Sequence, residues 1–155
     1  MAAPSAAVPR ARLGPQASRI LATGLRNRWY GVAPSDMAGE RPRALQRWGR
    51  RLVVWRGGDG AVHLLDDRCP HRGAPLSIAR AGGDRLSCIY HGAEILGDGT
   101  VAALPGQPGC DLIGRRAVHS YPTVEHRGAI FAWYGDALHP TPAPFTPPER
   151  LTSDG

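Results

Sequence analysis

Short apolar runs separated by turn signals fill the middle of the chain. The residues on both sides of Gly57-Gly-Asp-Gly60 are mostly apolar or β-branched, a pattern typical of the two strands of a β-hairpin. Two further turn sequences, Gly97-Asp-Gly-Thr100 and Arg127-Gly128, separate short runs of the same kind. Turns that recur about every ten residues predict an all-β fold, either an antiparallel sandwich or a small barrel.

The two ends of the chain lack this pattern. Residues 1–24 are rich in Ala, Pro and Arg and contain no acidic residue, so they predict a disordered N-terminal segment, although a transit peptide has a similar composition. Only residues 16–24 and 35–44 carry weak helical signals. Residues 139–155 contain repeated prolines, which predict an extended linker or tail. One folded domain is therefore expected over residues 25–138.

Composition and charge narrow the class of protein. The 155 residues suffice for one domain with a core. The formal net charge is +6 and all 19 basic residues are arginine, which favours an acidic protein partner. The arginines are dispersed and no nucleic-acid motif is present, so we expect no nucleic-acid binding. The three cysteines form no disulfide framework and no apolar run reaches membrane-spanning length, so the expected location is the cytoplasm, without a membrane partner.

Two short motifs carry the chemistry of the sequence. Cys69-Pro-His71-Arg-Gly73 and Cys88-Ile-Tyr-His91-Gly92 together read C-x-H-x16-C-x2-H. Two thiolates and two imidazoles suit a [2Fe-2S] cluster in which cysteines bind one iron and histidines the other. A structural zinc ion is the alternative for the same four side chains, although zinc sites more often pair Cys with Cys and His with His. Glycine after each histidine permits close approach of the backbone to a cluster.

The chain from Leu25 to Leu151 resembles the Rieske domain, most closely the N-terminal domain of the ring-hydroxylating and demethylating Rieske non-haem iron oxygenases. The resemblance rests on the two motifs, on Leu25-Arg-Asn-Arg-Trp-Tyr-Gly-Val-Ala33 before them and on Trp133-Tyr-Gly-Asp136 after them. It implies a Rieske-type antiparallel β-fold with two cluster-binding loops at one tip. It also implies a division of the ligands between the irons. Cys69 and Cys88 would bind the inner iron, and His71 and His91 the outer one.

The second motif departs from the family pattern Cys-Pro-Tyr-His-Gly-Trp. Ile89 stands in place of the proline and Ala93 in place of the tryptophan, so an apolar cover beside the cluster is lost. The respiratory type of Rieske protein has two additional cysteines and a serine hydroxyl near the cluster, where this chain has Ala74, Tyr90 and Ala93. Because hydrogen bonds to cluster sulfur stabilise the reduced state, their absence predicts a low potential, near roughly −150 mV.

The sequence offers no site for oxidation of a substrate. Related oxygenases bind a mononuclear iron through a D-x2-H-x4-H helix, in a triad of two histidines and one carboxylate. Residues 136–139 match the first half of that pattern, but Pro144 takes the place of the second histidine and the surrounding prolines exclude a helix. Another trio, His119, Glu125 and His126, would not face one way along a strand.

The expected function is therefore one-electron transfer through a low-potential Rieske cluster. The chain would act as the N-terminal module of a truncated or split Rieske oxygenase, an oxidoreductase component without the catalytic domain. A reductase or ferredoxin would supply the electron, and a mononuclear non-haem iron in another domain or subunit would accept it. A free-standing Rieske ferredoxin is the alternative within the family. A zinc-stabilised structural module is the alternative outside it.

Overall fold

The computed structural model describes residues 14–136 and 141–149, and most of them form short strands. Within these ranges there is one α-helix, and there are two 3₁₀ helices, Ser35–Met37 and Leu76–Ile78. The helix and the strands, in chain order, are α1 Pro15–Thr23, β1 Arg28–Pro34, β2 Arg43–Arg47, β3 Arg50–Arg56, β4 Val62–Asp66, β5 Arg80–Gly82, β6 Arg85–Ser87, β7 Glu94–Leu96, β8 Val101–Ala103, β9 Thr123–His126 and β10 Ala129–Tyr134.

The strands form three antiparallel sheets, which confirms the all-β prediction. The first sheet has the order β1-β10-β9, the second β2-β3-β4 and the third β5-β6-β7-β8. The predicted turn at residues 57–60 joins β3 to β4, and the predicted turns at 97–100 and 127–128 join β7 to β8 and β9 to β10. Short connections of this kind make neighbours in the chain neighbours in the sheet.

The strand β3 separates two apolar cores. Leu52 and Val54 pack into a core shared with the first sheet, whereas Val53 and Trp55 pack into a core shared with the third sheet. Successive side chains of a strand point to opposite faces, so this uninterrupted apolar run buries both faces of the second sheet. All four side chains are completely buried. The second core also contains Cys69 and Cys88, which places both motifs at the third sheet.

The helix α1 occupies the weak helical candidate at residues 16–24. Residues 1–24 were expected to be disordered, yet Pro15–Thr23 is helical. Pro15 begins the helix with a preset φ, and Gly24 ends it at a φ of 73° with its N–H donated to the carbonyl of Ile20. Residues 1–13 lie outside the described part of the chain. In the other weak helical candidate, 35–44, only the three residues of one 3₁₀ helix are helical.

No helix in the described ranges has the length and apolar character needed to cross a bilayer.

Candidate metal centre

The two motifs fold into loops of the same internal geometry. In loop 1, residues 69–74, the N–H of Cys69 donates to the carbonyl of Ala74 at 2.7 Å, and the N–H of Gly73 donates to the carbonyl of Cys69 at 2.9 Å. In loop 2, residues 88–93, the corresponding bonds join Cys88 to Ala93 at 2.8 Å and Gly92 to Cys88 at 3.0 Å. The two loops thus share one frame of main-chain hydrogen bonds, in which the two cysteines occupy equivalent positions.

Each frame needs glycine at one position, the fourth residue after the cysteine. Gly73 has a φ of 75° and Gly92 a φ of 71°, in the left-handed region that other residues rarely adopt. In loop 1 this glycine follows two residues after the histidine, and in loop 2 it follows directly. The two histidines therefore occupy different positions within their loops, whereas the two cysteines occupy equivalent positions.

The two thiols lie side by side at the inner end of the site. Cys69 and Cys88 are only 2% and 3% exposed and belong to the core between the second and third sheets. Burial raises the pKa of the Cys69 thiol, and hydrogen bonding to Cys88 raises it further, whereas the backbone N–H groups of His71 and Arg72 donate to its sulfur and act in the opposite direction. Such donors stabilise a thiolate and its metal complexes.

The two imidazoles lie together at the outer end. The ring centroids of His71 and His91 are 4.8 Å apart, with an angle of 73° between the planes, and both rings are half-buried. The ring of Tyr90 packs against His91 with 4.4 Å between centroids. Tyr90 is 63% exposed and Ile89 is 58% exposed, so the tip of loop 2 presents apolar surface around the histidine pair.

The arrangement of donors fits a two-iron cluster. Among residues 14–136 and 141–149, no three His, Cys, Asp or Glu side chains are gathered closely enough to bind a single metal ion. Two thiols and two imidazoles instead form separate pairs, as a [2Fe-2S] cluster with two protein ligands on each iron requires. The buried pair would hold the inner iron and the half-buried pair the outer one.

The other polar side chains that the sequence singled out have different roles. Glu125 forms an ion pair with Arg56 at 2.7 Å, and this hydrogen-bonded guanidinium lowers the pKa of the carboxyl. His126 packs against Phe145, whereas His119 packs against Tyr121, so the trio does not converge on one point. His139 lies outside the described residues.

Sequence reasoning missed one side chain next to the site. Asp67, two residues before Cys69, is the one buried charged residue in the part of the chain that the structure describes. Its neighbour Asp66 binds Arg50 and the hydroxyl of Tyr121 instead. The sequence alone does not show which of the two consecutive aspartates is buried.

Comparison with known proteins identifies the same stretch of chain. The profile of the Rieske [2Fe-2S] domain matches residues 28–122. The oxygenase subunit of vanillate O-demethylase from Pseudomonas sp. (strain HR199 / DSM 7063) is 36% identical over 118 residues, which cover 76% of this chain and 32% of that protein. Chlorophyllide a oxygenase, chloroplastic, from Chlamydomonas reinhardtii is 34% identical over 137 residues, which cover 86% of this chain and 20% of that protein.

Solved structures give the same result. The reduced complex between oxygenase and ferredoxin in carbazole 1,9a-dioxygenase contains a chain that superposes with a TM-score of 0.72 at 34% identity. That match covers 84% of this chain and 34% of the other. Dicamba monooxygenase bound to dicamba superposes with a TM-score of 0.67 at 35% identity, covering 77% of this chain and 38% of that chain. The chain thus spans between a fifth and about two fifths of the length of these relatives.

Proposed function

This chain belongs to the Rieske [2Fe-2S] domain family, and from that membership we propose that it transfers single electrons through a low-potential cluster as the N-terminal module of an oxygenase. The observation that carries the proposal is the pairing of side chains between the two loops, thiol with thiol and imidazole with imidazole. A buried pair of thiols lies behind a half-buried pair of imidazoles, so a cluster held there would meet solvent and partners through its histidine ligands.

The ligand roles follow from burial. Cys69 and Cys88 would bind the inner iron, and His71 and His91 the outer one. The cluster supplies reversible one-electron chemistry when bound. The chain contributes the frame: backbone N–H groups of residues 71 and 72 stabilise the sulfur of Cys69, and the surrounding core excludes water from the two thiols. Ala93 has no side-chain hydroxyl that could donate a hydrogen bond to cluster sulfur, which supports a low potential.

The catalytic iron would lie in another domain or subunit. The named relatives include a vanillate O-demethylase, a carbazole dioxygenase and a chlorophyllide a oxygenase, whose names describe unlike compounds. A Rieske module shared by such different proteins does not select the compound, so we place substrate recognition outside these 155 residues. The mass of the native protein in a cell extract separates this module from a free-standing ferredoxin.

The electron donor would approach the His71 side. A surface cavity of about 630 Å³ is lined by His71, Arg68, Arg72 and His119, with Asp66 already bound by Arg50. Arg68 and Arg72 make this surface positively charged, which favours an acidic ferredoxin or reductase, and oxygenase–ferredoxin complexes occur among the similar structures. Reduction by such a donor should slow as ionic strength rises, because exposed charges are screened. A rate independent of salt would contradict an electrostatic docking site.

The location we propose is a reducing compartment such as the cytoplasm. All three cysteines are free, and two of them are the proposed iron ligands. Chloroplast proteins occur among the relatives, so the family is used in more than one compartment.

The deciding experiment is low-temperature EPR of the dithionite-reduced protein, with iron and zinc counted on the same sample. We expect the low average g value of mixed histidine and cysteine ligation and about two irons per chain. Cys88→Ser should abolish the signal, whereas Cys110→Ser should retain it, because Cys110 lies outside both loops. A silent spectrum with one zinc per chain would refute the proposal.

A further inference from the structure

The two cluster loops share a frame, but the chain closes their bases in different ways. Loop 2 connects β6 to β7, and these strands pair so that Ser87 lies opposite Glu94, directly beside the loop. Its base is therefore closed by main-chain hydrogen bonds. Loop 1 follows β4 and leads into the 3₁₀ helix Leu76–Ile78. The strand β4 pairs with β3 and forms an isolated bridge from Leu65 to Ser120, but among the described residues it pairs with no strand that directly follows loop 1.

A buried carboxylate closes the base of loop 1. Asp67 accepts a hydrogen bond from the backbone N–H of Ser77 at 2.6 Å and another from the Ser77 hydroxyl at 2.9 Å. Arg51 of β3 donates a third at 3.2 Å. The backbone N–H of Asp67 donates to the carbonyl of Arg51 at 2.9 Å, which ties this residue to the second sheet. The carboxylate thus joins the residues just before loop 1 to those just after it.

The burial of Asp67 shows that this link is built into the fold. Its side chain is 0% exposed, and the partner guanidinium of Arg51 is largely in solvent. A buried carboxylate is retained only where hydrogen bonds replace its hydration, and here three donors do so. Because the carboxylate is fully covered, its hydrogen bonds join the two sides of loop 1 in a place that solvent does not reach.

We propose that Asp67 is a positioning residue for the cluster, acting through the backbone of loop 1. It holds Cys69 and His71 opposite Cys88 and His91. It closes the base of loop 1, as the pairing of β6 with β7 closes the base of loop 2. The inference rests on the proposed function for the identity of the metal group. The closure of the loop itself is a property of the chain and is measurable without metal.

The test compares hydrogen exchange at the two loops in Asp67→Asn. The amide of asparagine keeps one acceptor oxygen but loses the charge and cannot serve the same set of donors. We expect exchange at the amides of Cys69 and Gly73 to rise by about tenfold or more, while the amides of Cys88 and Gly92 keep their protection. Equal acceleration at both loops would show a general loss of stability and would overturn the proposal, as would unchanged exchange at loop 1.

Matched variants separate positioning from folding. Asp66→Asn changes the neighbouring carboxylate, which binds Arg50 and Tyr121 and does not reach Ser77. This control should leave loop 1 protected. Ser77→Ala removes the hydrogen bond from the hydroxyl and keeps the one from the backbone N–H. The rate of exchange at loop 1 in this variant should therefore lie between the rates in wild type and in Asp67→Asn. Ser77→Thr restores a hydroxyl and should restore protection. An unprotected loop 1 in Asp66→Asn would contradict the assignment.

The spectroscopic readout concerns the cluster directly. In reduced, loaded protein, Asp67→Asn should shift or broaden the EPR signal, because displaced ligands change the geometry at both irons, whereas Asp66→Asn should keep the wild-type signal. An unaltered spectrum in Asp67→Asn would overturn the positioning role. If the wild-type protein binds no iron, the proposed function fails, and the exchange comparison still decides whether Asp67 closes the loop.

Discussion

Ala93 shows how one residue sets the surroundings of the site. The family pattern has tryptophan here, and its loss was expected to uncover the cluster. Ala93 is nevertheless only 1% exposed and belongs to the same core as both cysteines and the fully buried Trp55. The neighbouring residues thus cover this position, and the exposed apolar surface of loop 2 lies instead at Ile89 and Tyr90.

A hydroxyl at position 93 should raise the reduction potential. Ala93→Ser places a donor in the buried second loop, and a hydrogen bond to cluster sulfur stabilises the reduced state. A differential stabilisation of about 1.4 kcal/mol corresponds to about 59 mV for one electron. We expect a shift of this order in a redox titration. Ala132→Ser, equally buried but in the other core, should leave the potential unchanged. A wild-type midpoint above about +100 mV would contradict the low-potential prediction.

Two histidines outside the cluster loops should make stability depend on pH. Burial is the main cause that lowers the pKa of His63, and it also lowers the pKa of His119. Histidines of the unfolded chain have a pKa of about 6.5. Because the two folded-state pKa values are lower, the unfolded chain binds protons more readily than the folded protein. Stability is fully present above that pH and falls as the pH drops through it towards the lowered folded-state values.

The free energy of unfolding is measured by urea denaturation between about pH 8 and about pH 5, a range that brackets the ordinary pKa of histidine. His63→Gln and His119→Gln should each reduce the slope of stability against pH, and the double variant should flatten it most. If stability increased towards acid pH, the assigned direction of these pKa shifts would be wrong.

At the scale of elements, the loops were predictable and their supports were not. Cysteine, histidine and glycine at short spacings identify each loop from local sequence alone. The closure of loop 1 depends on Asp67 and Ser77, which lie on opposite sides of the loop without a shared periodicity. The strand β3 was recognised from its apolar run, but that run does not reveal that its two faces serve different cores. Helix α1 lies at the helical signal of residues 16–24, which was too weak to displace the prediction of a disordered segment.

The packing of β4 against two turns leads to a prediction at Gly97. The ring of His63 lies against Gly97 and Gly57, and a Cβ atom at Gly97 would overlap that ring. Overpacking of this kind costs about 1–3 kcal/mol. Gly97→Ala should therefore lower the free energy of unfolding by about that amount, measured by urea denaturation. Gly82→Ala is the control, since a Cβ there meets no atom within 4 Å. Equal losses in the two variants would show that the His63 contact is not the cause.

At the scale of the whole molecule, the proline-rich segment is part of the packed structure. The sequence predicts an extended linker or tail over residues 139–155, and the structure describes 141–149 of these, which contact the outer face of the first sheet through Ala143 and Phe145. The indole N–H of Trp29 donates to the carbonyl of Ala143 at 2.8 Å. The ring of Phe145 packs on Trp29 and Phe131, with centroid distances of 5.4 and 4.9 Å. Prolines permit this extended course, but they give no sign of where it packs.

Phe145 explains why the outer face of β10 is buried. Phe131 points away from the core that contains Ile130 and Ala132, yet it is only 7% exposed. Contact with Phe145 supplies the missing cover, and such aromatic pairs contribute about 0.5–1.5 kcal/mol beyond the area they bury. The segment therefore acts as a strap that holds the end of the described chain against the first sheet, whereas the cluster loops pack into the core between the second and third sheets.

Removal of this ring should release the strap without affecting the metal centre. Phe145→Ala should accelerate hydrogen exchange at the Trp29 indole by about tenfold, since its acceptor, the Ala143 carbonyl, is no longer held in place. Thr146→Ala, a neighbouring exposed position, is the matched control and should leave that exchange unchanged. The EPR signal should be the same in both variants, because the strap packs on the outer face of the first sheet, whereas the cluster loops pack into the core between the second and third sheets. A protected Trp29 indole in Phe145→Ala would show that the backbone bond to Ala143 suffices to hold the segment, and a changed EPR signal would show that the two sheets are coupled.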